Sequence, residues 1–582
     1  MGLTIKQFRQ ILFWPLEIRR GNDLPIPEDL EFFLTGCWTW KAVPDLLKRG
    51  ITFEDREAYA ELVYFHPFVQ RFLYGQPSDP SPIKLYSRPD IGGAKVRLNW
   101  WDHNQHRDVS YEIKLDVHRV HLYLFDRGVA LLAVEVEAVR VYDLTLNDLK
   151  QPIDLFLELV EEFLDRFRRA YPPYWETESK IPGHFPAKVE WLDQKGQVMP
   201  WPEPHSPEDL PDAALEHGQF SELVLKRGVP VPARHWAQIL EPLSAWNCGA
   251  GNQFSYRQIE DERIPFMAYL SLDNPERLTR GDFIRLAFAD GRGSSDSLPY
   301  AHGFLQDFEK NHCYDRYWDP FPSWNRRGSW MTTRYLCSGY GFVMVGKDDR
   351  THSSPFFTDE ENGALAHFRR HYFQMGLIAH FHRAALLAFS DALSQAVAER
   401  DAKRQTPEQF HETINKVLDG LLSFTHRYWF REVSNQLQAR ELFTLWTRNL
   451  ETAALFEQVR QEAQDAKNFL DMEEQRRQTE TGVKLSESGV ALSRSAMRLS
   501  VVATFGLAAG LISSFLAIPW HDLAELSPSP EVFWGQFGFV AAAAVVTIGF
   551  LAVIIAASEK LGTWLERLAE FGKKIFPGKP AS

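Results

Sequence analysis

Four histidines fall within one short stretch of the chain, His367, His371, His380 and His382. His367 and His371 stand at i and i+4, so on a helix they share a face at the spacing of a helical metal pair. Arg369, Arg370 and Arg383 are interleaved with them and would repel a cation, and no HExxH pattern accompanies them. The favoured reading is therefore imidazoles bonded within a helix bundle, with metal binding left open. A second set is apolar. Ala503, Gly506, Gly510, Ser513 and Ala517 recur at spacings of 3, 4, 3 and 4, a small-residue stripe along one helix face. Such a stripe serves close packing of two helices or, in several copies around an axis, the wall of a pore. Asp522, Glu525 and Glu531 follow it. Repeated around a ring, they would form a negative collar that concentrates cations. Catalytic signatures are missing: no Ser/His/Asp order, Walker loop or dinucleotide fingerprint stands out. Ala289–Asp296, with Gly291 and Gly293, lacks a strand-to-helix context and reads as a turn. Glu360-Glu361 and Glu473-Glu474 read as solvated helix faces. Nothing makes a positive case for an enzyme.

These residues need helices to position them. From Asp359 onward the pattern is almost wholly helical, first over Glu360–Glu399 and then over Thr406–Thr425. Thr406-Pro407-Glu408 is a start signal, a capping hydroxyl followed by proline in the first turn. A third pattern begins near Tyr428 and carries the stripe Ala453, Phe456, Val459, Ala463, Ala466 and Leu470. Gly482 and Gly489 are candidate break points. A helix continuous from Gln436 to Pro519 would be roughly 120 Å long and would need helical neighbours. Two apolar runs follow, Leu499–Trp520 and Phe533–Ala557, each near the ~20 residues that span a bilayer core. Ser500, Thr504, Ser513 and Ser514 can bond within their own helix and do not disqualify the first run. No Lys or Arg occurs between Leu499 and Glu559. Arg494 and Arg498 precede the first run, and Lys560, Arg567, Lys573, Lys574 and Lys579 follow the second. Positive-inside logic then puts both termini in the cytoplasm and the acidic loop outside. Met1–Phe13 has no apolar core of a signal peptide. The tail Leu561–Ile575 carries Trp564, Leu565, Leu568 and Phe571 against charges, which suits the inner membrane surface or a solvated tail.

The rest of the 582 residues reads as a water-exposed part of roughly two domains. A net charge of −13 argues against nucleic acid as a general partner. Cys37, Cys248, Cys313 and Cys337 are widely separated, as reduced thiols of a cytoplasmic domain would be. Residues 1–90 alternate short helical patterns with Pro-rich turns, and Pro67 kinks or divides the clearest helix, Asp55–Leu73. Val96–Trp101, Ser110–Val117, Val120–Phe125 and Val129–Val139 read as strands, with a tight turn at Asp126-Arg127-Gly128. Thr145–Arg169 reads as a helix capped by Asn147 or Thr145, with a stripe of Leu155, Leu159, Phe163 and Phe167. Residues 171–235 read as a Pro-rich surface excursion or a linker with short elements, and Ile264–Leu272 and Thr333–Val345 as strands. The organisation expected is an α/β cytoplasmic domain at 1–345, with a large insertion around 176–262. A helical region at 346–435 and a stalk helix at 436–498 follow. Then come a transmembrane helix at 499–520, an external acidic loop at 521–532, a second transmembrane helix at 533–557 and a basic tail at 558–582.

The C-terminal part resembles the CorA family of divalent-cation channels and transporters. The likeness runs through Met497-Arg498-Leu499-Ser500-Val501-Val502-Ala503-Thr504-Phe505 and resumes in Pro530-Glu531-Val532-Phe533-Trp534-Gly535. The resemblance covers about Gln436–Lys574. It implies a CorA-like funnel, homopentameric, with a stalk helix that becomes the pore-lining first span. Leu499, Ala503, Gly506, Gly510, Ser513 and Ala517 would then be nearest the axis, with Leu499 at the inner neck, where an apolar ring can gate by dewetting. The implied cargo is a divalent cation, Mg²⁺ or similar, and no cofactor is implied. The chain departs from the family at its Gly-Met-Asn signature, where Ala517-Ile518-Pro519 stands instead. The permeant ion is therefore unassigned, and two functions are carried forward. One is an oligomeric cation channel or transporter gated by its cytoplasmic part. The other is a membrane-anchored sensor or effector on the same scaffold, answering to a cytoplasmic ligand or protein without constitutive Mg²⁺ transport.

Overall fold

A computed structural model describes residues 3–553 apart from 21–26, 37–38, 45–55, 77–80, 103–105, 126–127, 146–149, 172–184, 201–231, 246–253, 294–297, 299, 319–330, 518–528, 533, 536 and 551. The chain divides into two compact units, Met1–Lys467 and Asn468–Ser582. Among the described residues the first unit is built on a mixed sheet of fourteen strands. In chain order these are β1 (Ile5–Arg20), β2 (Lys41–Val43), β3 (Lys84–Ser87), β4 (Ile91–Asp102), β5 (Arg107–Leu124), β6 (Val129–Asp143) and β7 (Gln151–Ile153). They continue as β8 (Lys188–Asp193), β9 (Ser244–Ala245), β10 (Phe254–Gln258), β11 (Phe266–Leu272), β12 (Cys313–Tyr314), β13 (Arg334–Cys337) and β14 (Gly341–Lys347).

The centre of the sheet is β1, in a region the patterning assigns to short helices and turns. It pairs antiparallel with β6 along one edge and with β11 and β10 along the other. Its core, Ile11-Leu12-Phe13-Trp14-Pro15-Leu16, is buried throughout. A strand covered on both faces is apolar at odd and even positions alike, so the alternation that marks a strand disappears. On one face Phe8 meets Phe163 of the Leu157–Phe167 helix, with ring centroids 5.6 Å apart. On the other, Phe13 stacks on Phe373 at 5.4 Å.

The segments 110–117 and 120–125 form a single strand, β5, with a register shift between Val117 and Arg119 where it pairs with β6. The break in pattern at His118 is thus an irregularity within one strand. Asp126 and Arg127 lie outside the described residues. The flanking pairs close up to Leu124↔Ala130, and Gly128 has φ 77°, as a tight connection requires. The helix read over 145–169 is shorter, Leu157–Phe167, because Gln151–Ile153 with its proline pairs instead with β6. Its stripe Leu159, Phe163 and Phe167 is fully buried. Within 171–235, Lys188–Asp193 is a strand of the sheet, joined to β4. Segment 333–345 is a hairpin, β13 and β14, turning at Ser338–Tyr340, and β14 runs parallel to β11.

Pro67 divides two helices, Arg56–Tyr64 and Pro67–Tyr74. Ala364–His367 leads through a π-helical turn, Phe368–Tyr372, into the Phe373–Asp401 helix. Pro407–Arg427 begins at a capping box in which Thr406 and Gln409 exchange bonds. The pattern from Gln436 onward is two helices, Leu437–Asn449 and Thr452–Leu516, separated at Leu450 and Glu451. The second runs unbroken through Gly482 and Gly489 over 65 residues. The protein is thus an α/β N-terminal region with a mixed sheet, followed by a long helical C-terminal part.

Candidate functional site

Leu499, Ala503, Gly506, Gly510 and Ser513 lie in the last turns of the Thr452–Leu516 helix. Ala517 ends it, its N–H donating to the Ser513 carbonyl at 3.0 Å. Leu499 is 70% exposed, and a Cβ built on Gly506 or Gly510 meets nothing within 4 Å. Helix geometry alone gathers these six into one row, and that row is solvent-facing in the single chain. Ile518, Pro519, Asp522 and Glu525 lie outside the described residues, whereas Glu531 is exposed. Glu531 sits at the start of the Pro530–Phe550 helix, 21 residues of mean hydropathy 1.7 with none of the apolar stretch buried. Among the described residues this is the one helix long and apolar enough to cross a membrane, judged by length and composition.

The histidines do not converge on one point. His367 and His371 face each other across the π-helical turn with their Nδ1 atoms 2.9 Å apart, and His371 Nε2 reaches the Ala60 carbonyl at 3.4 Å. His382 Nε2 is 2.7 Å from the Tyr428 carbonyl. His380 is fully buried, stacked on Phe13 at 5.3 Å, with no hydrogen bond to either ring nitrogen. Burial pushes His380 down to about 3, helped by Arg383, and His382 to about 4 against its backbone bond. Both are neutral members of the core. Among the described residues no group of three or more His, Cys, Asp or Glu is placed to hold a metal ion.

The arginines among those histidines have other partners, and one leads to a cluster that motif reading missed. Arg369 Nε lies 3.0 Å from Glu135 Oε1, on β6. The same carboxylate, 1% exposed, meets Arg119 of β5 at 3.3 Å and Arg9 of β1 at 3.4 Å. Arg9 also holds Glu137 at 2.8 Å and approaches Glu360 at 3.6 Å. Burial alone would push the Glu135 carboxyl up, but Arg119, Arg369 and Arg9 together hold it below its ordinary range. Arg119 also lies over the Phe373 ring at 4.0 Å and donates to the Arg369 carbonyl at 3.2 Å. This buried cluster ties three central strands to the helical layer. Its only trace in the sequence is charge inside apolar strand runs, Arg9 beside Ile11–Leu16 and Glu135 beside Val129–Val134.

A cleft of about 300 Å³ lies at the start of the Arg280–Phe288 helix, lined by Thr279, Arg280, Tyr300, His302 and Leu305 among others. The Asp282 carboxylate caps that helix together with Thr279, supplying the negative charge such an end attracts.

The described residues thus define a mixed α/β protein with a long helical C-terminal part and one helix able to span a membrane. Comparison with protein-family models, with curated proteins and with solved structures finds no match to the chain.

Proposed function

We propose that this chain is one subunit of a homo-oligomeric membrane channel or transporter for cations, built on a CorA-like plan of five copies and controlled by its Met1–Lys467 unit. In this reading residues 499–520 and 533–557 both cross a bacterial-type inner membrane, with both termini in the cytoplasm. The observation that carries it is the exposed row Leu499, Ala503, Gly506, Gly510, Ser513 and Ala517, close in sequence to the membrane-length helix Pro530–Phe550. Exposed apolar and small residues on a helix next to a span need lipid or other helices to cover them. A two-span chain encloses no pore by itself, so conduction requires a ring. The test is reconstitution into vesicles with a cation-sensitive dye inside, alongside native mass of the detergent-solubilised protein. Flux from a pentamer supports the reading; a monomer, or no flux of any mono- or divalent cation, overturns it.

One feature favours a second reading. Ala517-Ile518-Pro519 offers no polar side chain where the resembled family holds its hydrated ion. A membrane-anchored sensor or effector, answering to a cytoplasmic ligand or protein, fits that replacement and the large α/β unit. It is distinguished by an intact oligomer that carries no flux, and by deletion that leaves growth at low Mg²⁺ unchanged.

A further inference from the structure

The long helix is launched from a built joint. The Leu437–Asn449 helix stops, Glu451 takes a left-handed conformation with φ 53°, and Thr452 starts the next helix. Other elements hold this step. Arg383, from the Phe373–Asp401 helix, donates from Nη1 to the Leu450 carbonyl at 2.6 Å and from Nη2 to the Tyr340 hydroxyl at 2.9 Å. That carbonyl belongs to the negative end of the Leu437–Asn449 helix, where a cation is favoured. Asn449 Nδ2 donates to the Cys337 carbonyl at 2.7 Å, and Trp446 Nε1 to the Gly339 carbonyl at 3.1 Å. Gly339 has φ 90°, and a Cβ there would stand 2.6 Å from the Asn449 carbonyl oxygen. The β13–β14 turn therefore approaches the joint at a distance that only glycine permits.

Behind Arg383 sits Glu260, between β10 and β11, with its side chain 2% exposed. Arg383 Nε is 3.3 Å from Glu260 Oε1, yet neither carboxylate oxygen receives a hydrogen bond. A buried carboxylate with one ion-pair partner and no donor carries little support for its charge. We propose that Glu260 is a proton-operated latch on this joint: ionised, it holds the Arg383 guanidinium against Leu450 and Tyr340; protonated, it lets the guanidinium go and the step at Leu450–Glu451 loosens. The groups facing Glu260 agree with a transition near neutrality. Burial pushes its carboxyl up to about 7, Arg383 pulls it down, and Asp261 adds to the rise. Tyr340, on the far side of Arg383, stays a neutral donor and acceptor, since burial and Glu260 push its hydroxyl up. The latch is closed above that pH and open below it. It does not depend on whether the protein conducts ions.

The test is hydrogen exchange of the full-length protein in lipid nanodiscs, read on peptides covering residues 447–456 and compared between proteins at one pH. Glu260→Gln keeps the shape of a neutral carboxyl. At pH 8 these amides should exchange on the order of tenfold faster in Glu260→Gln than in wild type, as expected for loss of one charge-assisted contact. At pH 6 the two proteins should coincide. Arg383→Met should speed exchange at pH 8 and come close to wild type at pH 6. Coincidence at pH 8, an equal ratio at both pH values, or the same acceleration in the Pro407–Arg427 helix would each overturn the latch. If Arg383→Met does not fold, the isosteric Glu260→Gln comparison decides alone.

Discussion

The two units treat their side chains in opposite ways. Met1–Lys467 buries even its charges, with Glu135, Arg9, Glu161 and Asp165 all at 3% exposure or less. Among the described residues of Asn468–Ser582 many apolar side chains are bare, with Leu492 at 76%, Leu499 at 70%, Phe539 at 77% and Val546 at 70% exposure. In water each such side chain forgoes about 1.5–3 kcal/mol of burial, which no folded chain leaves uncollected along a whole helix. The described part of the second unit is exposed apolar helix surface, and that contrast adds to the row at 499–517 in supporting the proposed membrane location.

The contrast can be broken most sharply in the first unit. Glu135→Ala leaves buried Arg9 and half-buried Arg119 and Arg369 without their shared anion. It should cost about 3–5 kcal/mol, read as a lowered unfolding midpoint of the full-length protein in urea. A loss below 1 kcal/mol would mean that water reaches the cluster. In the second unit Val540→Arg puts a charge at the middle of Pro530–Phe550. It should cost about 2.5–3.5 kcal/mol of insertion and shift the protein out of the carbonate-resistant membrane fraction. Unchanged partitioning would show that this helix does not cross the membrane.

Acidification tests the burial of the histidines. His380, with its pKa depressed from 6.5 to about 3, stays neutral when folded while the unfolded chain takes up a proton. Stability is therefore whole above pH 6.5 and is lost as pH falls toward 3, by up to about 1.4 kcal/mol per unit from this one group. His380→Phe, which suits the stack on Phe13, should flatten the pH dependence of the unfolding midpoint between pH 6 and 4. An unchanged slope would place His380 in contact with water.

Glycine comparisons give the smallest and most discriminating effects. A Cβ at Gly376 would lie 2.6 Å from the Trp446 ring, so Gly376→Ala should cost about 1–3 kcal/mol through overpacking. At Gly506 nothing is near, so in an isolated helix Gly506→Ala should be neutral or stabilising by up to about 1 kcal/mol. Gly506→Leu should leave unfolding of the first unit unchanged and reduce oligomer mass or flux. If it leaves both intact, that face is not where copies meet.

Legibility followed the range of the interactions. The Thr406 cap, the division at Pro67 and the stripe Leu159, Phe163 and Phe167 depend on residues within about four positions, and all were readable. The β1 strand was not, because its two apolar faces belong to layers formed by residues 163 and 373. Gln151 and Pro152 fall inside the helix read over Thr145–Arg169, but the edge of β6 takes them as a strand. The Glu135 cluster was invisible because its members are spread from Arg9 to Arg369.

By itself the sequence determined the helical character of the described residues from 364 to 516, the stripe 503–517 and the apolar run Phe533–Ala557, which overlaps the Pro530–Phe550 helix. Composition and local periodicity suffice for these, since a helix closes its hydrogen bonds within four residues. Only the tertiary structure decided that β1 is the centre of the sheet, that Arg369 faces Glu135 while His380 joins the core, and that the Leu437–Asn449 and Thr452–Leu516 helices are separated at Leu450 and Glu451. Those outcomes rest on pairings between residues tens to hundreds of positions apart, and burial, which sets their energies, exists only once the layers have met.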